Sequence, residues 1–467
     1  MTGANVYSGY RKARMRWLPP VPEHWNEERA KIFFREVDER SETGREELLS
    51  VSHLTGVTPR SQKKVTMFKA ASYVGSKLCR PGDIVINTLW AWMAALGASG
   101  HVGIVSPAYG VYRPRRADSF NPTYLDYLLR TRAYVAEYIG RSTGIRSSRL
   151  RLYPNQFLDI ALLQPPRPEQ DKIVAYLRSK DVHIARFIKA KRELIGLLTE
   201  QKLRIIDHAV TRGLDPSVRR QPSGIEWLGE IPEHWIAKPL KRWVGLNGSV
   251  LGEKTDPEFE FRYVDIGSVK TGRLVKELDR IRFASAPSRA RRILKRGDTI
   301  ISTVRTYLKA IWYVDEDAND LIASTGFAVL TPGRNVEPEY LGYVIQSSSF
   351  VNRVTANSIG IAYPAIAETV LGRFPVAMPS TVTEQQAIVS HIKSESAPLD
   401  TAIEQAMNEI KLIREYRDRQ IADVVTGQID VRDWAPSPDD VVSEEDLAAL
   451  DSDEEDDTVG EEDDGDD

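Results

Sequence analysis

Two copies of one short motif in this chain carry the residue types of an acid–base pair. Glu23-His24-Trp25 and Glu233-His234-Trp235 each place a carboxylate next to an imidazole, a pairing that general acid–base catalysis uses. Each copy follows a proline, which fixes the backbone, and ends in a tryptophan, which can anchor the start of a domain by burial. We therefore interpret both copies as structural anchors and not as catalytic sites.

Other motifs that would support catalysis are incomplete. Gly248 to Thr255 resembles the end of a phosphate-binding loop, but Glu253 stands where that loop needs glycine. One cysteine and seven scattered histidines leave no zinc-ligand spacing, and the sequence has no Asn-Pro-Pro-Tyr or Asp-Pro-Pro-Tyr element of an amino-methyltransferase. We expect a chain that is not an enzyme by itself and binds no cofactor or metal. A dispersed carboxylate cluster of a nuclease is the open alternative.

The net charge of -3 conceals a basic body and an acidic tail. The segment from Pro436 to Asp467 holds 17 Asp or Glu residues and no Lys or Arg, so the rest of the chain has 63 basic and 49 acidic residues, a net charge of +14. Such a body is typical of proteins that bind polyanions. The tail is too acidic and too poor in large apolar residues to fold alone, and it either adds solubility or competes with DNA for the basic body.

The sequence also predicts a cytoplasmic protein. It shows no basic-then-apolar leader, and its single Cys79 cannot form an internal disulfide. The longest apolar stretch, from Ile84 to Val105, is interrupted by polar residues. We interpret it as buried strands and expect no membrane segment.

Internal repetition is the main organising feature of the sequence. Blocks recur in the same order at an offset of about 210 to 216 residues, which indicates a duplicated architecture. The matched segments are 16–25 with 226–235, 80–86 with 295–301, 122–125 with 338–341, 142–145 with 358–361, and 169–170 with 384–385.

Each half closes with a long helical pattern. Residues 169–212 and 384–426 contain no proline except Pro398, and their apolar residues recur at helical spacing. Matching stripes on equal helices favour an antiparallel coiled coil over two separate amphipathic helices. At 1.5 Å per residue each helix would span roughly 65 Å, about two turns of DNA. We expect Pro398 to break or kink the second helix. The predicted helix-pair seam consists of Leu177, Ile184, Ile188, Ile195, Leu198, Ile392, Leu399, Ile403, Ile410 and Ile413.

The doubled order of these motifs resembles the specificity subunit of type I restriction–modification systems. The resemblance covers the chain up to the acidic tail. It is carried by the Pro-Glu-His-Trp elements, the strand-rich blocks after them, the Glu-Gln pair at the start of each long helix, and the ends 210–215 and 425–430. It implies a non-catalytic subunit that reads a bipartite double-stranded DNA target, while its helices set the spacer and dock two methyltransferase subunits. Translocating nuclease subunits would join them, and the partners would bind S-adenosylmethionine, ATP and Mg.

Together these features predict an α+β fold. Two tandem target-recognition domains of mixed strands and helices would be separated by two long helices that form an antiparallel coiled coil, with a pseudo-two-fold internal repeat. The predicted domains are block 1 (1–166), a central long helix (167–215), block 2 (216–380), a distal long helix (381–430) and a disordered acidic tail (431–467).

Differences between the halves indicate which residues would read DNA. The strand after each Gly-Asp turn is shared, but the residues that follow it are not. Base edges are read by hydrogen bonds from Arg and Asn and by apolar contacts, so these loops are predicted reading elements. The predicted readers are Asn87, Trp90, Trp92, Arg305, Tyr307 and Lys309. Core packing is the alternative for Trp90 and Trp92.

Further candidates would contact the DNA backbone. The stretch from Arg141 to Arg151 combines four arginines with hydroxyls around a glycine, a composition suited to phosphate, and its counterpart 358–364 is uncharged but carries a tyrosine. Two other basic clusters complete the set. These candidates are Arg60, Lys63, Lys64, Lys69, Arg141, Arg146, Arg149, Arg151, Arg289, Arg291, Arg292 and Tyr363, beside Lys295 and Arg296. A solvated charged surface is the alternative for each cluster.

Two other functions stay open from sequence. A non-catalytic helical scaffold with basic domains that bind RNA or acidic protein would show no sequence preference for DNA. A standalone nuclease would cleave DNA by itself in the presence of metal.

Overall fold

Contacts along the chain divide the protein into two units. The structure, a computed structural model, describes residues 6–53, 55–62, 72–144, 150–225, 227–361 and 363–440, together with 447 and 450. Unit 1 is Met1–Arg192 with Asn408–Thr458, and unit 2 is Glu193–Met407 with Val459–Asp467. Each unit therefore contains one block and a part of both long helices.

Block 1 combines short strands with short helices. Its strands are β1 (Tyr10–Arg11), β2 (Val21–Pro22), β3 (Asn26–Arg29), β4 (Phe34–Glu36), β5 (Leu49–Ser52), β6 (Gly56–Pro59), β7 (Lys77–Cys79), β8 (Ile84–Ile86), β9 (Leu96–Ala98), β10 (Gly103–Val105), β11 (Gly110–Pro114) and β12 (Ala161–Gln164). Its helices are α1 (Ala30–Phe33), α2 (Pro122–Leu129), α3 (Arg132–Arg141) and α4 (Pro154–Leu158). Four strands form an antiparallel sheet in the order β4-β11-β8-β9, and the strand pairs are β12-β3, β1-β2, β5-β6 and β10-β7.

Block 2 is built in the same way. Its strands are β13 (Arg220–Pro222), β14 (Glu230–Pro232), β15 (Ile236–Pro239), β16 (Val244–Leu246), β17 (Glu260–Val264), β18 (Val269–Lys270), β19 (Arg273–Leu274), β20 (Arg280–Arg282), β21 (Ala290–Ile293), β22 (Thr299–Ser302), β23 (Ile311–Tyr313), β24 (Leu321–Ser324), β25 (Phe327–Pro332) and β26 (Pro375–Met378). Its helices are α6 (Pro338–Gln346), α7 (Ser348–Ala356) and α8 (Glu368–Leu371). The sheets are β16-β25-β22-β23 and β20-β17-β24-β21, with the pairs β15-β26, β13-β14 and β18-β19.

The strand order of the two blocks is the same, which confirms the predicted internal repeat. The order β4-β11-β8-β9 returns as β16-β25-β22-β23, and the pair β12-β3 returns as β26-β15. A parallel contact also recurs: Leu48, next to β5, bridges Ile104 of β10, and β17 pairs in parallel with β24. The duplication seen in the sequence is therefore a duplication of the fold.

The shared Gly-Asp turn explains why the central strand of each main sheet forms where it does. Gly82 and Gly297 have φ values of 87° and 94°, which favour glycine. The buried carboxylates of Asp83 and Asp298 accept a hydrogen bond from the backbone N–H three residues earlier, at 2.9 and 2.8 Å. The turn is therefore followed directly by the buried strands β8 and β22, which contain β-branched residues.

The long helices confirm the helical prediction closely. Helix α5 (Arg167–Arg212) and helix α9 (Val382–Val425) each begin two residues before the predicted start. In unit 1, Asp181 pairs with Arg417 at 2.6 Å and Lys191 pairs with Glu409 at 2.5 Å. The α9 number falls as the α5 number rises, so the helices run antiparallel there. In unit 2 the two helices are joined by Lys202 and Asp400 at 2.6 Å.

A break at Pro398 was wrong, because α9 continues through this residue, and a kink there stays a prediction. Pro398 is exposed, so the carbonyl that loses its helical hydrogen bond is near solvent and the cost of the missing N–H is reduced. Among the helices in the described ranges, none combines the length and the apolar character needed to cross a membrane.

Candidate nucleic-acid interface

The repeated Glu-His-Trp motif lies at the junction between block 1 and α5. In unit 1, Trp25 Nε1 donates to Glu169 Oε1 at 2.9 Å, and His24 Nε2 pairs with Glu169 Oε2 at 2.8 Å. The Tyr7 hydroxyl also donates to Glu169 Oε1, at 2.7 Å, and burial together with this carboxylate raises the pKa of Tyr7. The motif histidine and tryptophan therefore both bind the glutamate at the start of the long helix.

Block 2 repeats this junction in unit 2. His234 Nε2 pairs with Glu384 Oε2 at 2.8 Å, and Trp235 Nε1 donates to Glu384 Oε1 at 2.9 Å. Both carboxylate oxygens of Glu384 bind the motif residues in the same way as those of Glu169 in unit 1. Both copies of the motif are therefore explained as anchors that join a block to its long helix. The structural interpretation of the motif is thus supported by two independent copies of one geometry.

The glutamine of each Glu-Gln pair fastens a second element. Gln170 Oε1 accepts from the backbone N–H of Asn121 at 2.7 Å, just before α2, and Gln385 Oε1 accepts from that of Glu337 at 2.7 Å, just before α6. Both glutamines are fully buried. The Glu-Gln pair therefore ties the start of the long helix to two parts of its block, which sequence analysis did not foresee.

Each long helix is followed by a glycine that lies against the tryptophan of one Glu-His-Trp motif. Gly213 follows α5 with φ 73°, and a Cβ there would lie 3.5 Å from Trp235 Cζ2 in unit 2. Gly427 follows α9 with φ 78° and lies against Pro22 and Trp25 in unit 1. The end of one long helix and the start of the other therefore meet at each Glu-His-Trp motif.

The loops predicted to read DNA share a 3₁₀ turn that ends in a left-handed residue. After β8 the chain makes a 3₁₀ turn at Ala91–Met93 and reaches Ala94 at φ 65°; after β22 it makes one at Thr306–Leu308 and reaches Lys309 at φ 50°. Left-handed backbone at residues other than glycine is uncommon and costs free energy, so the surrounding structure must hold it. Two similar turns thus carry different side chains.

In block 1 this loop presents aromatic rings. Trp90 is 51% exposed, and its ring stacks on that of Trp92 with centroids 6.3 Å apart and an interplanar angle of 15°. Trp92 Nε1 donates to the Leu89 carbonyl at 2.9 Å. Asn87 uses its side chain within the loop, donating to the Tyr109 hydroxyl at 3.3 Å and accepting from the Leu89 N–H. Trp90 is therefore an available contact residue and not a core residue.

In block 2 the equivalent loop presents a cation and a phenol. Arg305 adopts φ 51°, and its guanidinium carbon lies 5.0 Å from the ring centroid of Tyr363, a cation–π contact. Tyr307 and Lys309 are exposed beside it. The structure thus brings together four candidates that are up to 58 residues apart in sequence.

A second loop lies against the first in each block. In block 2, Thr306 Oγ1 donates to Ser358 Oγ at 2.8 Å, and Ile359 exchanges two backbone hydrogen bonds with Ala365 at 2.8 and 2.9 Å. In block 1 the N–H of Leu152 donates to the Thr88 carbonyl at 2.9 Å. Sequence analysis missed the exposed Ile359 and Ile361, although the shared Ser-x-Gly-Ile pattern marked their loop.

The basic candidates have different environments. Arg292 pairs with Glu368 at 2.6 Å and Arg141 with Glu137 at 2.5 Å, so both charges are compensated. Arg291 lies over the Phe283 ring at 4.7 Å, and Arg289 Nε donates to the Tyr263 hydroxyl at 3.3 Å. Arg60 and Arg151 are partly exposed, and Lys295 and Arg296 are exposed. Five candidates lie outside the described residues: Lys63, Lys64, Lys69, Arg146 and Arg149.

The predicted seam residues fall into two groups by burial. Leu177, Ile184, Ile188, Ile392 and Ile410 are buried. The partly exposed members are Ile195, Leu198, Leu399, Ile403 and Ile413. The contacts of individual seam residues stay a prediction.

The segment after α9, which we call the C-terminal strap (431–440), lies along α5 in unit 1. The Trp434 ring meets that of Tyr176 edge-on at 5.5 Å, and Lys172 Nζ donates to the Trp434 carbonyl at 2.8 Å. Asp440 accepts from Ser179 Oγ at 2.5 Å and pairs with His183 at 2.8 Å. The hydrogen bond from Ser179 lowers the pKa of Asp440. The remainder of the acidic tail, apart from 447 and 450, lies outside the described residues.

A metal-binding cluster, a reactive thiol or a ligand-sized cavity would each support catalysis. Across the described ranges, no group of three or more His, Cys, Asp or Glu residues is arranged to hold a metal ion. Cys79 is buried, and burial raises the pKa of its thiol to about 12, which keeps it protonated. A cavity of about 260 Å³ in unit 2 is lined by Gln201, Arg204, Ile205, His208, His391 and Glu395.

The duplicated blocks and long helices have a counterpart among solved structures. No family model matches the chain, and no curated protein matches it. A chain from work on the structural basis of complex assembly and conformational transition of the type I R-M system aligns with a TM-score of 0.53 at 14% sequence identity. The alignment covers 88% of this chain and 99% of that chain. The two chains share a fold.

Two further solved chains align over similar lengths with lower TM-scores. The HsdS subunit from Thermoanaerobacter tengcongensis aligns with a TM-score of 0.37 at 14% identity, over 88% of this chain and 98% of that chain. The S subunit of the Type-I restriction-modification system from M. genitalium aligns with a TM-score of 0.30 at 12% identity, over 86% and 96%. The shared fold rests on the first alignment.

Proposed function

We propose that this chain is the DNA sequence-specificity subunit of a type I restriction–modification system, a non-catalytic subunit that reads a bipartite target with one block per half-site. Three features support the proposal: the doubled motifs of the sequence, the fold shared with a chain from a type I R-M study, and a body with a net charge of +14. A charge of this sign favours binding to polyanions such as DNA.

The observation that carries the proposal is the pair of equivalent loops after β8 and β22. Both loops contain a 3₁₀ turn that ends in a left-handed residue, and the residue before the turn is Trp90 in block 1 and Arg305 in block 2. Similar turns with different side chains suit the reading of two different half-sites, because base identity is read by side chains.

Partner subunits follow from the same proposal. The long helices expose large apolar side chains, Leu194 and Leu197 on α5 in unit 2, and Leu412 and Tyr416 on α9 in unit 1. Exposed apolar surface of this kind suits protein interfaces. We assign these surfaces to two methyltransferase subunits, which translocating nuclease subunits would join. S-adenosylmethionine, ATP and Mg would be bound by those partners.

The methylation pattern of cellular DNA tests this function. DNA from cells that express this chain with its neighbouring methyltransferase is compared with DNA from cells that lack only this chain. A bipartite methylated motif that disappears on deletion is expected. An unchanged pattern, with both proteins demonstrably expressed, would contradict the proposal and favour a scaffold that binds RNA or acidic protein.

An exchange of block 1 provides the internal control. Replacing Trp25 to Leu163 with the corresponding segment of another such chain keeps block 2 and both long helices. One half of the methylated motif should change, and the other half and the spacer should stay the same. A change in both halves would show that the blocks do not read independently.

A further inference from the structure

The two adjoining loops of block 2 form an exposed apolar patch. Ile359 is 84% exposed, Ile361 105% and Tyr363 62%, and Tyr307 and Leu308 are exposed on the neighbouring loop. Single exposed apolar side chains are ordinary on protein surfaces, but a group on two adjoining loops indicates a binding surface.

The described residues of the loop that carries the isoleucines, 358–361 and 363–365, are joined by hydrogen bonds. Its ends are joined by the backbone hydrogen bonds between Ile359 and Ala365, and Ser358 Oγ donates to the Val354 carbonyl at 2.9 Å. Gly360 has φ 122°, and a Cβ there would lie 2.9 Å from the Tyr363 carbonyl oxygen. The isoleucine side chains are therefore presented on a fixed support, which reduces the entropy cost of a contact.

Charge complementarity selects the occupant of this patch. The guanidinium of Arg305 lies over Tyr363, Lys309 is exposed in the same loop, and the body of the chain is basic. An occupant must be anionic and must also offer an apolar group to isoleucine. Duplex DNA does both, because thymine presents its C5-methyl group in the major groove among the hydrogen-bonding groups of the other base edges.

We propose that Ile359 and Ile361 contact thymine methyl groups in the half-site that block 2 reads. This rests on the proposed function of block 2 as a DNA reader and adds the chemical group that it recognises. Insertion of an isoleucine between base pairs would have to offset the cost of unstacking them, whereas contact with a methyl group deforms nothing. Isoleucine has no hydrogen-bonding group, so a methyl group is the feature of a base edge that it can distinguish.

Replacement of thymine by deoxyuridine tests the proposal, since uracil pairs in the same way and lacks only the methyl group. The full chain in complex with its methyltransferase is titrated with a duplex that carries the methylated motif, and each thymine of the block 2 half-site is replaced in turn. Affinity should fall about fourfold at a contacted position, since one methyl-sized group contributes about 0.8 kcal/mol. The variants Ile359→Ala and Ile361→Ala should bind the thymine and uracil duplexes equally at that position.

Matched controls separate the outcomes. Ile32→Ala removes an exposed isoleucine of block 1 and should keep the full loss on thymine replacement. Equal affinity of the unchanged chain for thymine and uracil at every position would overturn the proposal. So would increased 2-aminopurine fluorescence at the half-site without discrimination against uracil, which would indicate insertion. A complex without preference for any motif would instead refute the proposed function itself.

Discussion

Removing the carboxylate that fastens each block to its long helix should weaken unit 1 more than unit 2. Glu169 is bound by three partners, including the hydroxyl of Tyr7, and its side chain is 5% exposed. Glu384 is bound by the two motif residues of block 2, and its side chain is 30% exposed. The variants Glu169→Ala and Glu384→Ala are therefore a matched pair within one chain.

The magnitudes follow from the donors left behind. Glu169→Ala leaves the buried hydroxyl of Tyr7 and the buried indole N–H of Trp25 without an acceptor, and each such group costs about 1–3 kcal/mol. The expected loss in unit 1 is about 4 kcal/mol by this reasoning. Glu384→Ala leaves only the indole of Trp235, at a site that water reaches, so the expected loss in unit 2 is about 1–2 kcal/mol.

Hydrogen exchange of the full chain, followed by mass spectrometry, measures both losses in the same experiment. Global melting is unsuitable because a chain of two units is not expected to unfold in one step. Peptides around Trp25 should lose protection by roughly a thousandfold in Glu169→Ala, and peptides around Trp235 by roughly tenfold in Glu384→Ala. Gln at either position keeps one acceptor oxygen and should cause an intermediate loss. Equal losses in both units, or a larger loss in unit 2, would refute the reasoning.

Three further changes test other parts of the structure. Arg305→Ala should relax specificity at one position of the block 2 half-site by about 1–3 kcal/mol. Competition with single-base variants of the duplex measures this change. Unchanged affinity and specificity would show that Arg305 does not read a base. Deletion of 441–467 removes 15 acidic residues and keeps the strap, so binding to an unrelated duplex at low salt should become tighter; an unchanged affinity would exclude competition by the tail. Asp440→Asn should increase hydrogen exchange in the strap at neutral pH. In the unchanged chain the pKa of Asp440 is lowered in the folded state. The hydrogen bonds of its carboxylate therefore contribute their full stability above the ordinary Asp pKa, about 3.9. That stability is lost as the pH falls further through the folded-state pKa. Exchange in the strap that does not change below about pH 4 would contradict this role.

Local periodicity was sufficient to predict the long helices. The stripes of α5 and α9 and the absence of proline after 169 placed both starts within two residues. An interruption at Pro398 was wrong because this residue lies on the exposed side of α9, and the helix continues through it. The strand that follows each Gly-Asp turn was predictable for a similar reason, since the turn and the strand are adjacent in sequence.

Contacts between distant segments were not predictable from one sequence. Glu169 and Trp25 are separated by 144 residues, and nothing local shows that the Glu-Gln pair and the Glu-His-Trp motif touch. The sequence signal for this contact was that the Glu-Gln pair and the Glu-His-Trp motif both recur in each half of the chain. The burial of Trp90 was also undetermined, because an aromatic residue after a buried strand suits both a core and a surface, and in the structure it is 51% exposed.

The glycines after the long helices have a consequence for how genes of this kind can change. Gly213 and Trp235 are 22 residues apart along the chain, while Gly427 and Trp25 are 402 apart, yet each glycine meets its tryptophan. The contact therefore does not depend on a short covalent connection. A gene that encodes the second half before the first would specify the same contacts, and recombination within the repeated motifs would exchange one block while keeping both junctions intact.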